Sequence, residues 1–259
     1  MKTDTHSTLT KSMAPVLSFT VLIFVWELTA RYSGWDTSVL PGPYMILESM
    51  FELIADGSLF KHTVASLFRV TLGFYIAAIL GIPLGILLGR SQIASILFNP
   101  IISFLRPISP LAWIPLAMLW FGIGDQPAIF LIFLASFFPI VVATTVAVHS
   151  INPTYFYVAA NFSFSRSEVI RKVVIPAIIP DVITALRLSV AIAWVVVVAA
   201  EMIAVQSGLG YLILDSRNGL RMDYVMDGMI VIGLIGLLLD YIMRRLSRIE
   251  SASWGIRQA

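Results

Sequence analysis

Six runs of roughly 20 apolar residues, the length a helix needs to cross a hydrocarbon core, dominate this 259-residue chain, at 13–30, 70–89, 101–122, 127–148, 182–205 and 224–243. A soluble domain of this size carries about 25% charged residues. Here the share is 12%, against 58% hydrophobic. The expected fold class is an all-α polytopic membrane protein with six transmembrane helices. Its organisation would be a cytoplasmic tail at 1–12, a membrane domain at 13–243, and a basic cytoplasmic tail at 244–259. The N-terminal text is polar and lacks a cleavage-site pattern, so it reads as a retained tail rather than a signal peptide.

Two runs carry more than hydropathy. In the second, Gly73, Ala77, Gly81, Gly85 and Gly89 recur at every fourth position. Such a stripe lets membrane helices pack backbone to backbone. The third holds Pro107, Pro110 and Pro115. Several prolines in one span imply a broken helix, tolerated where neighbours or a water-filled path satisfy the freed carbonyls. Between the first and second runs, residues 31–69 read as an extramembrane segment with a pair of surface helices along the interface.

A second polar interruption, 151–180, separates two of the long apolar runs. It carries Arg166, Glu168, Arg171 and Lys172, too many charges for lipid. Asn152-Pro153 opens one short helix with a capping side chain and a first-turn proline. Ser165 with Glu168 is a capping box opening a second, which Pro176 is expected to stop. Two short helices meeting at 161–165 form an ordered knob outside the membrane, and ordered loops between spans usually dock onto something.

Counting Lys and Arg orients the chain. With the N-terminus inside, eleven fall on the cytoplasmic side, including the knob's three and Arg187. Five (Arg31, Lys61, Arg69, Arg217 and Arg221) fall outside, and Arg106 stands at a span start. The orientation is N-in, C-in, with the knob in the cytoplasm.

Around the knob the text resembles a known family. Tyr157, Val158, Ala159, Ser163, Val173, Ile175 and Pro176 lie on the spacing of the E-A-A, three residues, G, nine residues, I-x-L-P signature of ABC importer permeases. Tyr157 stands at the family's Glu and Ser163 at its Gly. The third-span text RPISPLAWIPLAMLWFGIG resembles the nitrate/sulfonate/taurine/bicarbonate branch, as does AAEMI around Glu201, and the likeness extends from Trp26 to Asp240. It implies a type I ABC importer permease architecture without catalytic or metal-ligating residues. A second copy of the permease, two cytoplasmic ABC ATPases and an extracytoplasmic solute-binding protein would complete the assembly. ATP and Mg would be bound by the ATPases, and the chain would lie in the bacterial cytoplasmic membrane among its lipids. The coupling residues would be Tyr157, Val158, Ala159, Ala160, Ser163, Arg166, Glu168 and Pro176, and the solute a small anion.

Arg106 either draws an anion into a path or snorkels to the interface. Ser109 and Trp113, beside the prolines, line that path or simply pack. Glu201 is either a gate at the outer mouth or an acid bonded to a neighbouring helix. Enzyme chemistry has little to stand on. The chain has no cysteine, three scattered histidines, and no phosphate-binding G-x-x-x-x-G-K-[ST]. No nucleic-acid partner is expected. The alternatives are a membrane-embedded enzyme or signalling protein without an ATPase, which would need a titratable pair in the bilayer, and a secondary carrier, which would need a repeated half.

Overall fold

The computed structural model describes residues 5–32 and 34–253. Lys2, Lys11, Arg248 and Arg257, which weigh in the charge asymmetry, lie outside the residues whose side chains are described. Helices follow in the order α1 Thr5–Tyr32, α2 Pro43–Ala55, α3 Ser58–Arg90, α4 Gln92–Leu105, a single 3-10 turn Pro110–Trp113, α5 Ile114–Phe121 and α6 Asp125–His149. After these come α7 Pro153–Asn161, α8 Arg166–Val169, a π turn Ile170–Val174, α9 Ile175–Ala204, α10 Leu209–Asn218 and α11 Met222–Ser253.

Among the described residues, four helical stretches are long and apolar enough to cross a membrane: Ser58–Arg90, Asp125–His149, Arg166–Ala204 and Met222–Arg245. The α4–α5 pair makes a fifth if its two arms form one span, and those arms meet at 87°. The 28-residue α1 occupies the place of the remaining run. From Leu17 onward it exposes Leu17, Phe19, Leu22, Ile23 and Phe24, side chains suited to face lipid.

Three boundaries differ from the sequence reading. The second span begins at Ser58, so the expected interfacial helix pair is one helix, α2, followed by the first turns of a span. His62 and Arg69, too polar for lipid, sit there because neighbouring helices enclose them. The third span starts nine residues early, at Gln92, where the Ser91 hydroxyl accepts from the Ala94 amide at 3.3 Å and caps α4. Pro176 does not stop the knob's second helix. The π turn just before it loosens the ladder, so the missing proline N–H interrupts nothing, and helix runs on to Ala204.

The chain divides into two compact units, Met1–Phe60 with Leu212–Ile230, and Lys61–Tyr211 with Val231–Ala259. In the first, α2 turns Ile46, Ser49 and Leu53 inward, and the Ser49 hydroxyl donates to Asp227 Oδ2 at 2.7 Å. Arg221 pairs with Asp223 at 2.7 Å and Glu52 at 3.3 Å. The buried Asp223 and Asp227 went unnoticed in the sequence, although they stand one turn apart at the start of the last span.

In the second unit, the small-residue stripe of α3 lies against α6. A β-carbon on Gly85 would stand 2.5 Å from Thr144 Cβ, and one on Gly89 2.5 Å from Val148 Cβ. Gly73 abuts Ile132, Gly81 abuts Ile140, and Ala77 is fully buried. The Thr145 hydroxyl lies 2.8 Å from the Val141 carbonyl and 3.3 Å from that of Gly85, a contact possible only where backbones nearly touch. Behind α6, α9 packs through Val196, Ala200 and Ala204, which share a core with Ala128, Leu131 and Ala135.

Candidate functional site: a knob on a long helix and a buried ion pair at its far end

The knob grows out of local capping. The Asn152 side chain accepts from the Thr154 amide at 2.9 Å, with Pro153 in the first turn of α7. At its other end the Phe164 amide donates to the Ala159 carbonyl at 3.0 Å and the Ser163 amide to that of Ala160 at 2.9 Å. This is the Schellman pairing, which requires a left-handed residue between the two bonds. Ser163 takes that role at φ +53°, at the position where the resemblance places Gly. The Ser165–Glu168 capping box then starts α8. Lys172 bonds Glu168 at 2.8 Å and lies 4.8 Å from the Phe164 ring centre.

The knob is fixed to the bundle rather than hung from it. The Arg90 guanidinium at the end of α3 lies 4.4 Å from the Phe156 ring centre. Phe156 and Val169 pack on a core of Ala147, Val148, Ile151, Val174, Ile178 and Val182. Ala159 is 2% exposed. Its small side chain is enclosed within the knob. The exposed face is made by Tyr157 at 74% and Phe162 at 71%, with Val158, Ala160 and Asn161 beside them. Arg166 is exposed and Glu168 is half-buried. Pro176 lines a cleft of about 590 Å³ with Tyr155, Lys172 and Pro180.

At the break of the third span, Arg106 and Ser109 are exposed. Trp113 leans on the core of Ile114, Ala117 and Leu131, so of its two readings the packing one fits this geometry.

Glu201, in the last turn of α9, is fully buried and bonded to a neighbouring helix. Its Oε1 meets Arg69 Nη1 at 2.6 Å, and its Oε2 accepts from the Ser66 hydroxyl at 2.8 Å and the Gly210 amide at 3.0 Å. Arg69, 1% exposed, also donates to the Ser207 carbonyl at 2.7 Å and pairs with Asp125 at 2.7 Å. It also donates to the Ser207 hydroxyl. The Gly208 amide donates to His62 Nδ1 at 3.0 Å and the Leu209 amide to Ser66 Oγ at 2.9 Å. Three consecutive amides entering α10 are thus satisfied by side chains of α3 and α9. Removing Arg69 would leave the Glu201 carboxylate buried without a counter-charge, a loss of about 3–5 kcal/mol, whereas Arg69 without Glu201 would keep Asp125.

Sequence reasoning placed Arg69 in an outer loop and missed this network. One signal was present: His62, Ser66 and Arg69 precede Gly73 by whole helical turns, so the small-residue stripe continues as a polar one on the same face. Among the described residues no group of three His, Cys, Asp or Glu side chains could hold a metal ion.

Long apolar helices, a broken span and an ordered knob continuous with one span define a membrane transport subunit more readily than an embedded enzyme. Comparison with known proteins agrees. The family model "Binding-protein-dependent transport system inner membrane component" matches residues 81–250, and the chain belongs to that family of ABC permeases. It is 35% identical to the taurine transport system permease protein TauC of Escherichia coli (strain K12), over 88% of this chain and 85% of that one. It is likewise 35% identical to the nitrate import permease protein NrtB of Synechocystis sp., over 89% and 86%. Among solved structures, an inward-facing form of the MetNI methionine ABC transporter shares the fold, with a TM-score of 0.64 at 19% identity, covering 78% of this chain and 98% of that one.

Proposed function

We propose that this permease subunit imports a small oxyanion of the nitrate, sulfonate, taurine or bicarbonate class through the cytoplasmic membrane by alternating access. It works as a homodimer with two ATPases that bind ATP and Mg, and an extracytoplasmic protein delivers the solute. The observation that carries the reading is the knob. A rigid, aromatic-topped projection at the head of a membrane-crossing helix can receive force from a soluble partner and pass it into the bilayer. Tyr157, Val158, Ala160 and Phe162 form the gripped face. Ala159, Ser163 and the Ser165–Glu168 box hold its shape, Arg166 flanks it, and Pro176 follows the π turn that joins it to α9. Beside the broken span, Arg106 and Ser109 offer a cation and a hydroxyl to a passing anion, with Trp113 bracing the break.

The test is uptake into proteoliposomes holding the permease with its ATPases and binding protein, supplied in turn with radiolabelled nitrate, taurine and bicarbonate. Accumulation of one of them that needs ATP on the ATPase side supports the reading. Uptake by the permease alone, driven by an ion gradient, would replace it with a secondary carrier.

A further inference from the structure

We propose that Arg69 and Glu201 form a permanent strut that makes the turn at 205–210 rigid with α3, α6 and α9. Displacement of α9 at the knob is thereby delivered undiminished to the opposite end of the bundle. Arg69 and Glu201 are positioning residues, and the proposal rests on the reading that the knob receives force from an ATPase.

The helical run from Arg166 to Ala204 is 39 residues, about 58 Å at 1.5 Å per residue. The knob sits at one end and Glu201 one turn from the other. A rod transmits displacement only if its far end is fastened, and three elements converge on that end. Arg69 brings α3, and Asp125 brings the first turn of α6. Ser207, Gly208, Leu209 and Gly210 bring the turn into α10. The Gly124 amide adds a bond to the Ala204 carbonyl at 3.1 Å. The turn is pressed flat against α9. Gly208 stands at φ +104° with the Glu201 carboxylate where a β-carbon would go, and a β-carbon on Gly210 would run into the Val198 carbonyl.

The same facts argue against a gate that opens each cycle. Arg69 and Glu201 are 1% and 0% exposed, and every oxygen of the Glu201 carboxylate is bonded. Parting them would strand the Glu201 carboxylate in a low-dielectric interior with only neutral donors. A cycle that keeps them together avoids that step.

The chain contains no cysteine, so an introduced pair is unique. Ser66 Oγ lies 2.9 Å from the Leu209 amide nitrogen, which holds the two α-carbons within about 7 Å, the outer limit of disulfide reach. In the reconstituted complex, with whichever of nitrate, taurine or bicarbonate the wild type accumulates, Ser66→Cys/Leu209→Cys should oxidise readily and transport equally well oxidised and reduced. Glu201→Gln should still bring down the ATPases and hydrolyse ATP, but move about tenfold less solute per ATP. The strut is refuted if oxidation stops transport and reductant restores it, if the pair fails to oxidise, or if Glu201→Gln keeps the wild-type ratio. Should Glu201→Gln not assemble, the disulfide result decides alone. A wild-type complex without ATP-driven uptake would instead overturn the functional reading beneath it.

Discussion

Replacing Gly85 by Ala tests the helix pairing on which the second unit is built. The added β-carbon would stand 2.5 Å from Thr144 Cβ and 2.9 Å from the Val141 carbonyl oxygen, where carbon atoms prefer about 3.5–4.0 Å. The helices must part by about 1 Å to restore that spacing. They cannot part only there, since Gly81 and Gly89 hold the turns on either side against Ile140 and Val148. Overpacking of this kind costs about 1–3 kcal/mol, less up to about 1 kcal/mol that Ala returns through helix propensity. Gly233 supplies the control, because nothing lies within 4 Å of its β-carbon position. Gly233→Ala should be neutral or slightly stabilising. Thermal unfolding of the purified permease, followed by circular dichroism in one detergent, reads both variants at about 2–4 °C per kcal/mol. Equal melting of Gly85→Ala and wild type, or equal damage from Gly233→Ala, would refute the close approach of α3 to α6.

Ser163→Gly should stabilise the knob by about 1 kcal/mol by removing a left-handed side-chain clash, and Ser163→Val should weaken it, as limited proteolysis between α7 and α8 would register. Phe156→Ala removes both the Arg90 ring contact and part of the core beneath the knob. It should lower the melting temperature by several degrees, because that core joins the ends of α6 and α9, and lower the solute moved per ATP. Trp194→Phe deletes the 3.0 Å bond from the indole N–H to the Ile232 carbonyl and should cost about 1 kcal/mol in the same melts.

The small-residue stripe and the knob were legible because each is local. The stripe needs only a period of four, and the knob only caps two or three residues from their partners. The Arg69–Glu201 pair is hidden in the sequence by its separation of 132 residues and by the polar text of Lys61, His62 and Arg69, which resembles a loop. Charge content drew the boundary of the second span too late, so Arg69 was assigned to solvent. Ala159 is ambiguous for a different reason. A small residue permits close approach on either of its sides, and the sequence does not say which side is occupied. Pro176 shows the limit of a breaker rule, since a π turn ahead of it lets the helix continue.

In the proposed assembly the face of Tyr157, Val158 and Ala160 is held from the cytosol by an ATPase. Ala160→Cys puts a single thiol on that face of a chain with no other. A membrane-impermeant maleimide applied to right-side-out and inside-out vesicles, with and without the ATPase subunits, measures both halves of the claim. The account expects labelling only in inside-out vesicles and protection when the ATPases are bound. Labelling from the outer face, or equal labelling with and without the ATPases in a complex that still assembles, would contradict it.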